Sequence, residues 1–471
     1  MPALFQEPST KKTFITRFGY LVELFIVTLI LVVIYCFGIQ DVPFTTDESH
    51  WIATSYYFEA LFNGDRVLPS LPQYNPKNIA PPNPVWGENY WTLTQPPLTR
   101  YVIALGRLSG GYQVKDLNTP WAYQADAVEN KAIGAFPSPA LLWWSRLPMA
   151  ILAAISGLLF FLLVCSCAGR ISGYTFVVLF ANMPYCLTQL RRAMGESPLL
   201  FFTGLAIAAG VVALVKWSRI KQMGQADAST NSLLSPFLWL ILMGVTTGLA
   251  GATKLNGLAL FLAGALICYL IFRGSKGIVS QAARERFAIR TLVLSMLVAG
   301  IVFVIVNPYL YSDPLSRAVK MFEFRGREIS TQLFLYPEYG IPDMGARLRI
   351  VPQRIFQDYM ALNFEGAWII NVLLFGLGAF YLARAGWQWL VNKGDNPASV
   401  AMIAAASVTV LPALFTPLDW DRYYLFPVIF VSCSIAIGIG MSLTIASRRL
   451  WIYFKYLKER YGFALEKDKA L

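Results

Sequence analysis

Two adjacent carboxylates, Asp47 and Glu48, lie in the stretch Thr45-Thr46-Asp47-Glu48-Ser49-His50-Trp51, directly after the first long apolar run of a 471-residue chain. Ionisable groups at the end of a membrane span are costly unless they face water or a partner, so they are functional candidates. The same residues also read as a helix start. Thr45 with Glu48 three residues on makes a capping box, and acids suit the positive end of a helix dipole. The two readings combine if Glu48 caps and Asp47 stays free for proton transfer. His50 is the single histidine, which argues against a multi-histidine metal centre. A divalent cation held by Asp47, Glu48 and a phosphate is still reasonable chemistry.

Further polar residues interrupt the apolar runs at recurring places. Arg191, Arg192 and Glu196 lie between two runs, Lys254 and Asn256 in a tight turn, and Asn307-Pro308 at the end of another. Asp419, Asp421 and Arg422, with Tyr423 and Tyr424 behind them, precede the last run. Singly, each has a simpler account: Lys254 could snorkel, Arg422 could pair with Asp421, and Asn307-Pro308 could stop a helix. Together they put both signs of charge on one face, with cations suited to an anionic ligand and carboxylates suited to proton transfer. The segment 311–364 adds Arg317, Arg325, Arg327, Arg347, Arg349 and Arg354. Anionic lipid headgroups or a phosphate ligand would account for that cluster.

The elements that must position these groups are membrane helices. Hydrophobic residues make up 56% of the chain and charged residues 14%, too few charges for a soluble protein of this length. Apolar runs begin at Gly19 and recur near 140–165, 171–188, 197–216, 236–253, 256–273, 289–309, 365–386, 398–416 and 422–444. The predicted fold class is therefore all-α: a polytopic transmembrane helix bundle of about ten spans with short juxtamembrane helices. The net charge of +12 reads as cytoplasmic loops under the positive-inside rule, not as a nucleic-acid surface. With the N-terminus inside, Arg170, Lys216, Arg219, Lys221, Arg273, Lys276, Arg284, Arg286, Arg290, Arg384 and Lys393 fall on the cytoplasmic side. The expected organisation is one domain over 1–444 with external loops at about 40–139 and 311–364, followed by a basic tail, 445–471, on the inner leaflet. Within the first loop, Glu48–Phe62 and Pro97–Leu108 read as short helices. The six cysteines lie in or beside apolar runs, so no disulfide framework is expected.

Several of these motifs resemble the GT-C glycosyltransferases, most closely the branch of protein O-mannosyltransferases and lipid A aminoarabinose transferases. The resemblance is carried by the acidic pair, Gln95-Pro96-Pro97-Leu98, Arg192…Glu196, Thr253-Lys254-Leu255-Asn256-Gly257, Asn307-Pro308-Tyr309-Leu310 with Asp313-Pro314, and Asp421-Arg422-Tyr423-Tyr424. It implies a polyprenyl- or dolichyl-phosphate sugar donor and a lipid, glycan or protein acceptor on the extracytoplasmic side. Asp47 matches the family's first-loop acid, expected to be the general base, and Glu48 its neighbour. Arg192, Lys254 and Arg422, with Tyr423, fall where the donor phosphate is expected. His50, Gln95, Glu196, Asn256, Asn307, Arg325 and Arg327 complete the expected substrate-binding set. Many relatives carry His or Lys at the position of Gln95 and Asp at that of Glu196, and several add a C-terminal soluble domain. These departures bear on the acceptor more than on the reaction.

A sugar phosphoester is already activated, so an enzyme has to deprotonate the acceptor and stabilise charge on the departing phosphate. In-line attack without a covalent enzyme intermediate inverts the anomeric centre. Competing readings are a transporter or flippase, a non-catalytic binding subunit for a lipid-linked sugar, and a ligase that attaches finished glycans. A transporter places its polar site near the midplane between repeated halves, a pattern not found here. The expected location is a bacterial plasma membrane, with both termini cytoplasmic and the site periplasmic.

Overall fold

The computed structural model describes residues 11–63, 85–123, 125–223, 234–274, 280–391, 393–394 and 396–461. Lys276, the part of the first loop at 64–84 and the tail residues 462–471 lie outside the described residues. Helix α1 (Lys11–Cys36) leads into short helices α2 (Thr46–Ala53), α3 (Tyr57–Asn63), α4 (Tyr90–Thr94), α5 (Leu98–Ser109) and α6 (Ala127–Ala132). A bundle follows: α7 (Pro139–Ala168), α8 (Arg170–Ala181), α9 (Pro184–Gln189), α10 (Glu196–Met223), α11 (Leu234–Thr253), α12 (Leu260–Gly274) and α13 (Gln281–Val306). Helices α14 (Pro314–Leu335) and α15 (Met344–Gln353) then precede α16 (Ala367–Leu390), α17 (Pro397–Leu414) and α18 (Leu425–Tyr461).

Among the described residues, 8 helices are long and apolar enough to cross a membrane, and the chain is an all-α integral membrane protein. The other two expected spans form shorter apolar helices, Arg170–Ala181 and Pro397–Leu411. The first has a local cause. Its 12 residues rise only about 18 Å, because Pro184 has no N–H to continue the ladder. Pro184 also holds Met183 extended, at φ −92° and ψ 107°, as the residue before a proline tends to be. Helix α18 runs unbroken from Leu425 to Tyr461. The expected tail boundary at 444 thus falls inside a single helix, whose residues Leu450–Phe454 are exposed.

Helix α7 is the hub, packing against α1, α5, α8 and α10. Phe160, Phe161, Phe176 and Phe180 are fully buried around it. Helices α16 and α18 meet through glycines. A β-carbon on Gly378 would collide with the carbonyl of Ser434, and one on Gly438 with that of Leu374. Small residues permit this approach where bilayer lipid offers no hydrophobic drive for association. Gly378→Leu is therefore expected to lower the thermal midpoint of the detergent-solubilised protein, whereas Gly376→Leu, at an open position, should leave it nearly unchanged.

The segment 311–364 is tied to the turn before α18. Ile341 N–H donates to the Pro417 carbonyl at 2.8 Å and Asp419 N–H to the Tyr339 carbonyl at 2.7 Å. Arg347 donates to the carbonyls of Leu414 (2.7 Å) and Thr416 (2.6 Å), and Arg354 pairs with Asp419 at 2.7 Å. Arg317 donates to the Tyr309 carbonyl at 2.6 Å. Arg317, Arg347 and Arg354 thus brace backbone and a carboxylate of the protein itself, and Arg347 and Arg354 position the turn that carries Arg422.

Candidate active site

Helix α2 begins where its sequence says it should. The Glu48 carboxylate accepts from the Thr45 N–H at 3.2 Å, closing the expected box. The rest of its hydrogen-bonding capacity is also used. Arg146, two turns into α7, donates to both Glu48 oxygens at 2.7 and 2.6 Å, and the Ala193 N–H adds a bond of 2.8 Å. Both side chains of this pair are 0% exposed. The remaining guanidinium nitrogen of Arg146 donates to the carbonyls of Ile39 and Val42 at 2.9 and 2.8 Å. Glu48, expected as a catalytic neighbour, is thereby placed as the tie joining α2, α7 and the turn before α10. Its oxygens are not free to share a cation with Asp47. Among the described residues, no group of three or more His, Cys, Asp or Glu gathers to hold a metal.

Asp47 points the other way. The Tyr123 hydroxyl donates to its Oδ1 at 2.7 Å, and the Arg422 guanidinium pairs with its Oδ2. The side chain keeps 26% exposure. Burial pushes the carboxyl up, but Arg422, the Tyr123 hydroxyl, His50 and the charge of Lys254 together hold it below its ordinary value. Asp47 is thus a carboxylate whose two oxygens are both engaged.

Arg422 lies over the rings of Trp420 (4.6 Å) and Tyr423 (5.7 Å). It does not pair with the neighbouring Asp421 carboxylate, which accepts from the Arg422 backbone N–H at 2.7 Å and from Gln189 Nε2 at 2.6 Å. Gln189 also accepts from Arg192 at 3.3 Å, and Arg192 lies 4.0 Å from Asp421. The Arg192 Nε is buried without a partner. Lys254, directly after α11, pairs with Glu196 at the start of α10, and Lys254 is 22% exposed while Glu196 is 3% exposed. The second Glu196 oxygen has no partner. On the far side, Arg325 donates to the Tyr423 hydroxyl at 2.9 Å and pairs with Glu328, which accepts from the Tyr90 hydroxyl at 2.8 Å.

Asp47, Arg422, Tyr423 and Arg325 are therefore linked in one network, with Arg192 reached through Gln189 and Asp421. Gln95 caps α4, with its side-chain oxygen buried and unpartnered. His50 lies one turn along α2 from Asp47, against Trp91 (4.5 Å) and Tyr123 (5.0 Å). No described contact joins the other three expected residues to this group. Asn256 is exposed, Arg327 is exposed against the Phe324 ring, and Asn307 is buried with its amide 3.6 Å from Met321.

Sequence reasoning missed Arg146, Tyr123 and Arg100. Arg146 left a signal, because a lone arginine within an apolar run demands a partner. Arg100 is 3% exposed and donates to Thr54 Oγ1 (2.9 Å) and to the carbonyls of Gln95 and Trp91 (3.0 Å each). It packs against the rings of Trp51 and Tyr57, so it fixes α4, which presents Trp91. Tyr123, in a polar loop, left no signal.

Residues 86–311 match the family described as dolichyl-phosphate-mannose-protein mannosyltransferase. The match includes Arg192, Glu196 and Lys254; Asp47 and Arg422 lie outside it. No curated protein sequence matches the chain. Among solved structures, the protein O-mannosyltransferase Pmt1–Pmt2 complex of S. cerevisiae, bound to the sugar donor, is 17% identical with a TM-score of 0.43, covering 62% of this chain and 33% of its own. The oligosaccharyltransferase AglB of Archaeoglobus fulgidus, in complex with an inhibitory peptide and a dolichol-phosphate, is 13% identical with a TM-score of 0.49, covering 97% and 53%. ArnT of Cupriavidus metallidurans, bound to undecaprenyl phosphate, is 15% identical with a TM-score of 0.46, covering 96% and 66%. The chain thus spans between a third and two thirds of the length of these proteins.

Proposed function

Taking the match of residues 86–311 to the mannosyltransferase family as the premise, we propose that this chain is an integral-membrane GT-C-type glycosyltransferase. It takes a sugar from a polyprenyl-phosphate donor and passes it to an acceptor on the extracytoplasmic face, with both termini in the cytoplasm. The membrane is proposed to be a bacterial plasma membrane. The observation that carries this reading is the contact between Asp47 and Arg422, a base and a phosphate-binding cation side by side at the polar end of the bundle.

In the proposed step, Asp47 takes the proton of an acceptor hydroxyl or amine as that atom forms its bond to the anomeric carbon. The bond from that carbon to the phosphate oxygen breaks, and its electron pair stays on the released polyprenyl phosphate. Attack opposite the leaving group inverts the centre. Arg422, Arg192 and Lys254 stabilise the growing phosphate charge, and fixed cations of this kind need no reorganisation during reaction. Arg suits a forked phosphate contact, and Lys supplies a point charge. The Asp47–Arg422 contact adds an order of events: without donor the base is masked, and an arriving phosphate draws the guanidinium away and frees it.

Two expectations follow from this arrangement. Lys254→Ala weakens donor binding about tenfold and lowers turnover as well, because a charge-assisted contact of roughly 1.5–3 kcal/mol is lost; equilibrium binding of labelled donor reads this directly. Because Asp47 is held low, kcat/KM stays flat through neutral and mildly acidic pH. It falls only at pH below the ordinary carboxylate range, as Asp47 takes up its proton. A pH profile on the purified enzyme checks the sign. The reading itself is tested in proteoliposomes with polyprenyl-phosphate sugars labelled in the sugar. A glycosyltransferase releases bare polyprenyl phosphate, whereas a flippase moves label across the bilayer with the donor intact.

A further inference from the structure

We infer that His50, Trp91 and Tyr123 form a subsite for the sugar ring of the donor, beside the phosphate-binding cations and resting on the donor reading above. Both ring nitrogens of His50 are buried without a hydrogen-bond partner, in a residue only 8% exposed. Buried polar atoms are almost always paired, and an unpaired one costs free energy that a packed site does not normally forgo. The imidazole shares a face of α2 with Asp47, three residues away. Tyr123 covers both: its hydroxyl bonds Asp47 at 2.7 Å and its ring lies 5.0 Å from His50. Tyr123 is itself 48% exposed, so it forms the outer, displaceable wall, while Trp91 is anchored from behind by the Arg100 guanidinium at its carbonyl.

The chemistry of this corner differs from that of the rest of the site. Burial, reinforced by Arg100 and opposed by Asp47, pushes the His50 imidazole down to about 4. At neutral pH it is uncharged, with one N–H to donate and one nitrogen to accept. That pair matches a sugar hydroxyl or two neighbouring hydroxyls, and flat aromatic faces suit the C–H face of a sugar ring. The Arg422 guanidinium pairs with the Asp47 oxygen that the Tyr123 hydroxyl leaves open. A charged phosphate and a neutral ring on one substrate would each meet the matching half of the site, with the base between them.

The test uses the purified full-length protein in nanodiscs. Its probes are undecaprenyl phosphate and the same lipid carrying mannose, glucose or 4-amino-4-deoxyarabinose. The wild type should bind at least one sugar-bearing lipid more tightly than the bare carrier. His50→Phe, which keeps a ring but removes both nitrogens, should cut that preference about tenfold and leave bare-carrier affinity unchanged. His50→Gln, with one donor and one acceptor group in reach, should restore part of the preference. Full preference in His50→Phe would overturn the subsite and return His50 to packing, as would loss of bare-carrier binding in both variants. A wild type that binds all these lipids equally would overturn the subsite and leave the donor reading standing. A wild type that binds none would overturn both.

Discussion

Asp47→Asn lowers transfer by about 10²–10⁴-fold, the contribution of a positioned general base, and leaves the protein folded. The substitution is nearly isosteric, and the Tyr123 hydroxyl can still donate to the side-chain carbonyl oxygen at the Oδ1 position. Only the proton acceptor and its charge are lost. The consequence for binding is the sharper half of the expectation. In the wild type, Arg422 must leave a carboxylate to reach the donor phosphate. In Asp47→Asn it leaves a neutral amide, so donor affinity should hold or rise while turnover collapses. A variant that lost donor affinity along with turnover would mean that Asp47 orders the cations instead of acting as base. Equilibrium binding and single-turnover rates on the same preparation separate these outcomes.

Arg146→Ala destabilises the protein by about 3–5 kcal/mol, the usual result of stripping one partner from a buried ion pair. Glu48 would be left charged at 0% exposure, and the carbonyls of Ile39 and Val42 would lose their donor. Glu48→Gln should cost less, since an amide can keep some of the bonds, yet it should also loosen the turn at Ala193 that precedes Glu196. The double variant Glu48→Leu/Arg146→Met should recover part of the loss, because removing both charges leaves neither one unpaired. Thermal midpoints of the detergent-solubilised variants, at matched lipid content, give the ranking. If Glu48→Gln kept wild-type stability and lost all transfer, Glu48 rather than Asp47 would be the base.

The sequence made the helical class legible because apolar runs of span length leave little else for a chain to do. It made the polar end legible because charges at span ends are rare enough to count. Reading Thr45 and Glu48 as a cap separated the two carboxylates, and Glu48 closes that cap; Asp47, expected to be free, instead has both oxygens engaged by Tyr123 and Arg422. What stayed hidden was pairing. Nothing in the local sequence of Arg422 says that its partner is Asp47, 375 residues away, in place of Asp421 next to it. Nor does an arginine-rich segment announce that Arg347 and Arg354 spend their donors on the chain's own turn. The short helix Arg170–Ala181 diverged for a local reason at Pro184, where a continuous apolar pattern masks a backbone break. Tyr123 was out of reach for a different reason: an aromatic residue in a polar loop has no periodicity to betray which way it faces.

The central claim is that a carboxylate at position 47 performs proton transfer during sugar transfer from a lipid phosphate. The most direct measurement compares purified wild type with Asp47→Asn in a membrane extract supplied with radiolabelled polyprenyl-phosphate sugars. Label is followed into any acceptor, and donor binding is recorded alongside. Transfer by the wild type alone, with donor bound by both, is the predicted result and would identify donor and acceptor together. Equal transfer by the two proteins would contradict the claim and return Asp47 to a helix start.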